Sequence, residues 1–265
     1  SSSCRVRRHD RYSDLGLNME TTYFRFEEVL PGSPAYERYL EARHDVFCTE
    51  LGRVEPTGLS SSHGRPIETD GYDVHSRPFV AYYKPDESVA GFVRIIMPNE
   101  HGLNVAQRYV IERPLPYASA TDDKIGEISR LAVTPHFRRR PSDEGKSGQG
   151  APESEMTLKT EGPRQHQPEL VLGMYREVYQ LCRQTGLDYC MAAMDNLFSR
   201  LLIRLGFPFV AVGPLNPNVT PARRVYIISA TEMEHMLGGR ETTILQFMQK
   251  QLNIQTIDPA RFIAE

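Results

Sequence analysis

The run Gly126-Glu127-Ile128-Ser129-Arg130-Leu131-Ala132-Val133-Thr134-Pro135 constrains this chain more than any other segment. Ile128, Leu131 and Val133 supply the β-branched and apolar bulk of a buried strand. Such a strand rarely holds a carboxylate and a guanidinium three residues apart unless the charges pair or meet a ligand. Two other segments repeat the theme. Glu68-Thr69-Asp70-Gly71-Tyr72-Asp73 sets three carboxylates within six residues, and Arg94 interrupts the apolar run Gly91-Phe92-Val93-Arg94-Ile95-Ile96-Met97. Charges on several core-like strands point to one shared electrostatic site.

A formal net charge of -3 gives the molecule no field suited to nucleic acid or to a membrane surface. No apolar stretch approaches the roughly 20 residues that span a bilayer. The basic N-terminal octet, Ser1 to Arg8, is not followed by an apolar signal core, so a cytoplasmic protein is expected. The four cysteines, Cys4, Cys48, Cys182 and Cys190, show no C-x-x-C pair and fit reduced thiols better than a disulfide or zinc set. The eight histidines lack H-x-x-x-H and H-E-x-x-H spacings, so no metal site is expected. No Gly-x-Ser-x-Gly elbow of a hydrolase occurs.

Residues 1–22 are polar and are expected to be a flexible lead segment. A single domain is expected over 23–254, followed by a tail at 255–265. Tyr23 to Val29 alternates as a first strand. Ser33 is placed to cap a helix whose first position is Pro34 and which runs to about Glu50. A Gly, Ser and Pro-rich loop covers 52–66. Pro78–Lys84 and Ala90–Met97 form two strands around a Pro85-Asp86-Glu87-Ser88 turn. Residues 98–124 form a long connection with a short helix around Val105–Val110. Residues 141–167 lack apolar anchors and read as a mobile insertion. A helix follows over Glu169–Thr185, capped by Gly186. Then come a strand at Asp188–Met194, a helix at Asn196–Leu205, strands at Phe209–Val212 and Arg224–Ile228, and a last helix at Arg240–Leu252. The order predicts an α/β (α+β) fold, a mixed sheet flanked by helices, with a parallel crossover from the central strand to the next.

That order and its charges resemble the GNAT-like fold shared by GNAT acyltransferases and acyl-homoserine-lactone (autoinducer) synthases. The synthases carry an Arg and a Phe four apart on the first helix, matched by Arg43 and Phe47. Their Glu-x-Asp-x-x-Asp is matched by Glu68, Asp70 and Asp73, their later strand Arg by Arg94, and their Glu-x-Ser-Arg by Glu127, Ser129 and Arg130. Glu127 to Val133, followed by Phe137-Arg138-Arg139-Arg140, resembles the PEP-CTERM/exosortase system-associated acyltransferases, relatives of the N-acyl amino acid synthases. The glycine-rich pyrophosphate loop of ordinary GNAT enzymes is absent, because Phe137 to Pro141 holds no glycine.

Each motif also has a plain structural reading. The acidic loop can be a solvated turn, or part of a network with Arg43, Arg94 and Arg130 that raises one carboxylate toward a base's range. Glu127 and Arg130 can be a structural ion pair, but positions three apart on a strand face opposite sides unless a bulge intervenes. Phe47 can be core, and Arg43 a partner of the loop. Arg138 to Arg140 can be a solvated turn, or a docking patch for an acidic carrier protein or a pantetheine phosphate.

The resemblance implies an N-acyltransferase that moves a fatty acyl group from a thioester to the amine of an amino acid or similar small acceptor. The donor is expected to be acyl carrier protein rather than acyl-CoA, with no tightly bound cofactor. Glu68 or Glu127 is the candidate base, and Arg130 is grouped with them. A backbone N–H near Leu131 to Val133 would face the oxyanion. Arg94 or Arg130 would hold an acceptor carboxylate, and a tunnel between the central strand and the Asp188–Met194 strand would take the acyl chain. The alternatives are an acyl-homoserine-lactone synthase using S-adenosylmethionine, an acetyl-CoA transferase, and a non-catalytic module that binds acyl thioesters.

Overall fold

A computed structural model describes residues 19–138, 166–240 and 242–250. Eight strands form one sheet in the order β1-β2-β3-β4-β5-β6-β8-β7. They are β1 (Met19–Glu20), β2 (Phe24–Glu28), β3 (Ser76–Tyr83), β4 (Ser88–Ile96), β5 (Ile125–Val133), β6 (Tyr189–Met194), β7 (Val210–Ala211) and β8 (Arg224–Ser229). Every neighbouring pair is antiparallel except β5 and β6, whose parallel pairing follows the helical crossover expected from the sequence. That parallel pairing is short. Ile125, Gly126 and Glu127 face Tyr189, Cys190 and Met191, and beyond them the two strands share no register.

Alternation along the strands sends side chains to two cores. Phe79 and Ala81 of β3, with Val93 and Ile95 of β4, pack toward α4 (Gln167–Thr185). Val80, Tyr82 and Phe92 pack on the opposite face, toward α1 (Pro34–Arg43). On β5 the phase breaks. Ile128 and Val133 are five apart yet share the α4-side core, while Ala132 joins the α1 side. The cause is a bulge. Phe92 faces Ala132 and Arg94 faces Ser129, so two residues, Arg130 and Leu131, oppose Val93 alone. Arg130 takes φ 50°, the left-handed conformation that absorbs the extra residue.

Ser33 caps α1 through its side chain, which accepts from the Tyr36 N–H, and Pro34 opens the helix as expected. The winding then changes. Residues His44–Glu50 continue as a π-helical turn, so the helical span reaches Glu50 but not as one α-helix. α2 (Asn104–Arg108) is the short helix of the long connection, and α3 (Pro135–Arg138) follows β5 directly. α4 ends at Gly186, whose φ of 72° closes the helix, and α5 (Asn196–Arg204) is capped by the Asp195 side chain. Gly173 lets α4 lie flat on β2, because a Cβ there would sit 2.0 Å from the Phe26 ring.

Three expectations need correction. Met19 and Glu20 pair with Phe26 and Arg25, and Thr21 is buried, so the lead segment is tied down at its end. The helix expected over Arg240–Leu252 is α7 (Thr242–Met248), and a further helix, α6 (Ala230–Arg240), precedes it where none was expected. The proposed insertion overlaps α4, which begins at Gln167; its remainder at 141–165, and the tail, lie outside the described residues.

Candidate active site

The charges singled out in the sequence converge on the α1 face of the sheet. Arg43 ends α1, Arg94 lies on β4, Arg130 sits at the β5 bulge, and the 68–73 loop runs among them. Arg43 Nε donates to Glu68 Oε2 at 2.5 Å, and its Nη1 donates to Asp73. Arg94 grips Asp70 with Nη1 and Nη2 at 2.7 and 2.6 Å, and Nη1 also reaches Asp73 Oδ1 at 2.6 Å. Arg130 Nη2 donates to Glu68 Oε1 and to Asp70 Oδ2, both at 2.9 Å. Three guanidinium groups therefore face three carboxylates. Arg43, Arg94 and Glu68 have no solvent exposure at all. The Asp73 side chain also accepts from the Asp70 N–H at 2.8 Å, which shapes the loop.

The sequence allowed the network to raise one of its own carboxylates; the geometry does the reverse. Burial pushes the Glu68 carboxyl up, but hydrogen bonds from Arg130 and Arg43 outweigh it, and the group lies below its ordinary value. Asp70 is treated the same way by burial against Arg94, and falls to about 2. These carboxylates are saturated anions, poorly suited to take a proton.

Glu127 is different. The ion pairs of Arg130 go to Glu68 and Asp70, and Glu127 is not among its partners. Glu127 accepts from the Val105 N–H at 2.9 Å and from Asn104 Nδ2 at 3.2 Å, at the start of α2. Burial raises its carboxyl above the ordinary value, and those two bonds offset it only in part. Nearby stands Tyr72, a residue the sequence reading passed over. Its hydroxyl is shielded from solvent and has no hydrogen-bond partner among the described residues. The Glu127 charge helps burial to raise that phenol. The signal was an aromatic residue set inside an acidic loop.

The other candidates occupy mixed places. Phe47 lies in the π-helical turn, edge-on to Phe92, and the Arg130 guanidinium stands 5.3 Å from its ring centre. Ser129 is buried opposite Arg94, Leu131 packs partly buried against the α4-side core, and Val133 is core opposite Gly91. Arg138 pairs with Glu50, while Arg139 and Arg140 lie outside the described residues. Arg53 stands within reach of the charges of both Arg223 and Arg138. Burial and then the Arg223 charge lower the Arg53 guanidinium. The Arg223 Nε is buried with no hydrogen-bond partner among the described residues, and Arg224 beside it faces Met194 at the end of β6. The sequence held no local signal for that gathering, which spans three distant segments.

A narrow apolar cavity of about 30 Å³ lies where β5 and β6 meet, under α4, lined by Ile128, Tyr175, Cys182, Cys190, Phe207 and Met233 among others. Among the described residues no group of His, Cys, Asp and Glu is arranged to hold a metal ion, and no helix is long and apolar enough to cross a membrane.

Comparison with known proteins agrees with this architecture. The family model described as an acetyltransferase (GNAT) domain matches residues 42–145. Among solved structures, BjaI, a CoA-dependent acyl-homoserine lactone synthase held with SAM and isopentyl-CoA, is 18% identical over 82% of this chain and 81% of that one, with a TM-score of 0.50. TofI, in a ternary complex with an inhibitor and MTA, is 15% identical over 89% of this chain and 98% of that one, with a TM-score of 0.52. No curated protein sequence matches the chain. The fold is thus the GNAT-type acyltransferase fold, in the form seen in acyl-homoserine lactone synthases.

Proposed function

We propose that this protein transfers an acyl group from a thioester to the amine of a small acceptor. The observation that carries the reading is Glu127, a buried carboxylate with a raised pKa on the strand where the parallel pairing ends. Beyond Glu127 the β6-facing edge of β5 has no strand partner among the described residues, and an extended thioester arm would lie along it. An amine must be neutral to attack the carbonyl carbon. Glu127, directly or through water, takes its proton, and its raised pKa brings it closer to that task than Glu68. The C–S bond breaks as the tetrahedral intermediate collapses, and the thiol leaves. Its oxyanion is met by a backbone N–H in the Leu131–Val133 stretch. The Tyr72 hydroxyl, shielded in the loop and within reach of the Glu127 charge, meets an acceptor whose entry displaces the ring. The arginine–carboxylate network acts as the frame: it fixes the loop that carries Tyr72 against β4 and β5.

For the donor we favour an acyl chain on carrier protein, with free acyl-CoA as the alternative. The missing glycine-rich loop and the gathering of Arg53, Arg138 and Arg223 support a partner that brings its own phosphate. For the acceptor we favour an amino acid, in line with the resemblance of Glu127 to Arg140 to exosortase-associated acyltransferases and N-acyl amino acid synthases. A second reading, lactone synthesis from S-adenosylmethionine, is favoured by the likeness to BjaI. One experiment separates them. Purified protein is given acyl-carrier or acyl-CoA donors with amino acids or S-adenosylmethionine, and products are read by mass spectrometry. An N-acyl amino acid supports the first reading and an acyl-homoserine lactone the second. Absence of any acyl product with every donor and acceptor would leave a thioester-binding module.

A further inference from the structure

Two of the cysteines have a place in the fold that the transfer reaction does not use. Cys182 lies in the last turns of α4 and Cys190 is the second residue of β6. The Gly186 turn folds the strand back under the helix, and the Leu187 N–H donates to the Cys182 carbonyl at 3.0 Å. The result brings the two sulfur atoms to 3.3 Å. Both side chains are buried, at 5% and 2% exposure, and both are free thiols. Both also line the apolar cavity, whose wall includes the exposed Asp188. A space of about 30 Å³ admits a molecule a little larger than water but not a bulky reagent.

We propose that Cys182 and Cys190 form a redox-active dithiol, which a peroxide entering the cavity converts to a disulfide that staples α4 to β6. The chemistry balances without another reagent. One sulfur loses its proton and attacks a peroxide oxygen; the S–O bond forms, the O–O bond breaks, and the departing hydroxide takes a proton to leave as water. The second sulfur then attacks the sulfenic sulfur. The S–S bond forms, the S–O bond breaks, and the second oxygen leaves as water with the second proton. Two thiols are oxidised by two electrons, and the peroxide is reduced to two waters. The sulfurs must close from 3.3 Å to about 2 Å, a movement within reach of side-chain rotation. At rest the pair is quiet. The Cys182 sulfur and burial push the Cys190 thiol well up, so it remains a neutral S–H. The size of the cavity admits only a small oxidant, the neighbouring sulfur resolves the first product, and the raised thiol makes the first attack slow because only the thiolate attacks.

The test uses the full chain, first as the parent protein and then with Cys4→Ser and Cys48→Ser, so that this pair alone remains. Each is treated with hydrogen peroxide, quenched, unfolded in an alkylating reagent and digested with trypsin without reductant. Arg183 separates the two cysteines. A disulfide therefore joins the peptide from Glu177 to Arg183 to the peptide from Gln184 to Arg200. The expected result is that linked species, lighter than its parts by two hydrogens, in both proteins, and its loss after dithiothreitol. Recovery of the two peptides unlinked, whether alkylated or carrying sulfinic acid, overturns the proposal. Neither outcome depends on the acyl-transfer reading.

Discussion

Arg94 holds Asp70 through both terminal nitrogens, while Arg94 also reaches Asp73 and Asp70 also accepts from Arg130. The Asp70 carboxyl titrates at about 2 in place of 3.8. A group with a depressed folded-state pKa contributes stability above its unfolded value and loses it as the pH falls through the folded one. The shift corresponds to roughly 2 kcal/mol. Asp70→Asn should therefore lower stability at neutral pH by at least about 2 kcal/mol, since it also leaves Arg94 short of a buried partner. Urea melts should show the gap between parent and variant narrowing as the pH drops from 4 toward about 2. A constant gap across that window would mean that the carboxylate charge is not what stabilises the loop.

Glu127 and Glu68 should part company under the same substitution. Glu127→Gln is expected to lower turnover by roughly 10²–10⁴-fold with the fold intact. The parent rate should climb with pH through a value above the ordinary carboxylate range, and the variant should lack that step. Glu68→Gln should instead lower the melting temperature, because the fully buried Arg43 loses one of its two charged partners and Arg130 loses one of its own. Stopped-flow rates and thermal melts on the two variants decide the matter. Equal turnover in Glu127→Gln and parent would remove it as the base.

Tyr72→Phe should leave stability almost unchanged, as its hydroxyl has no partner to lose. If that hydroxyl meets the acceptor, KM for the amine should rise several-fold while the donor KM stays put. A loss of roughly 1 kcal/mol in acceptor binding is the scale of one hydrogen bond. Unchanged acceptor kinetics would assign the tyrosine to packing alone.

Arg130 combines ion pairing with a left-handed backbone. Arg130→Ala and Arg130→Gly both discard the bonds to Glu68 and Asp70, so their difference isolates the backbone. The glycine variant should be the more stable by about 1 kcal/mol, against the usual ranking of the two residues in a strand. Paired chemical melts would show it. Equal midpoints would argue that the bulge relaxes once the side chain is gone.

Gly173→Ala tests how closely α4 approaches the sheet. The new methyl would overlap the Phe26 ring, which is itself fully buried. A loss of about 1–3 kcal/mol is expected, as for other overpacked cores. A companion Phe26→Leu change should recover part of it in the same melt.

The central strand, the acidic loop and Arg94 were legible because charge inside apolar sequence has few structural excuses. Their meeting at one site followed from residue types alone. The bulge was harder. Arg130 looks like any strand residue, and its conformation shows only in the broken phase between Ile128 and Val133. The direction of the carboxylate shifts could not be read either, since it depends on how many guanidinium groups each oxygen meets. Helix α6 escaped because Ala230 to Arg240 has two glycines and a weak apolar pattern. Packing of Met233 and Leu237 into the core, rather than local propensity, holds it. The thiol pair was invisible for a similar reason: eight residues separate the cysteines, and the helix-to-strand reversal at Gly186 supplies their contact.

The three-residue parallel contact between β5 and β6 leaves five strands on one side of the sheet and three on the other, joined by about 10 Å of paired backbone. Side chains close what the backbone ladder leaves open, because one continuous core runs from Phe24 and Phe26 of β2 to Tyr226 and Ile228 of β8 beneath α4. The join between the two groups of strands is thus made of packing more than of backbone bonds, and substitutions in that shared core would be felt on both sides of it at once.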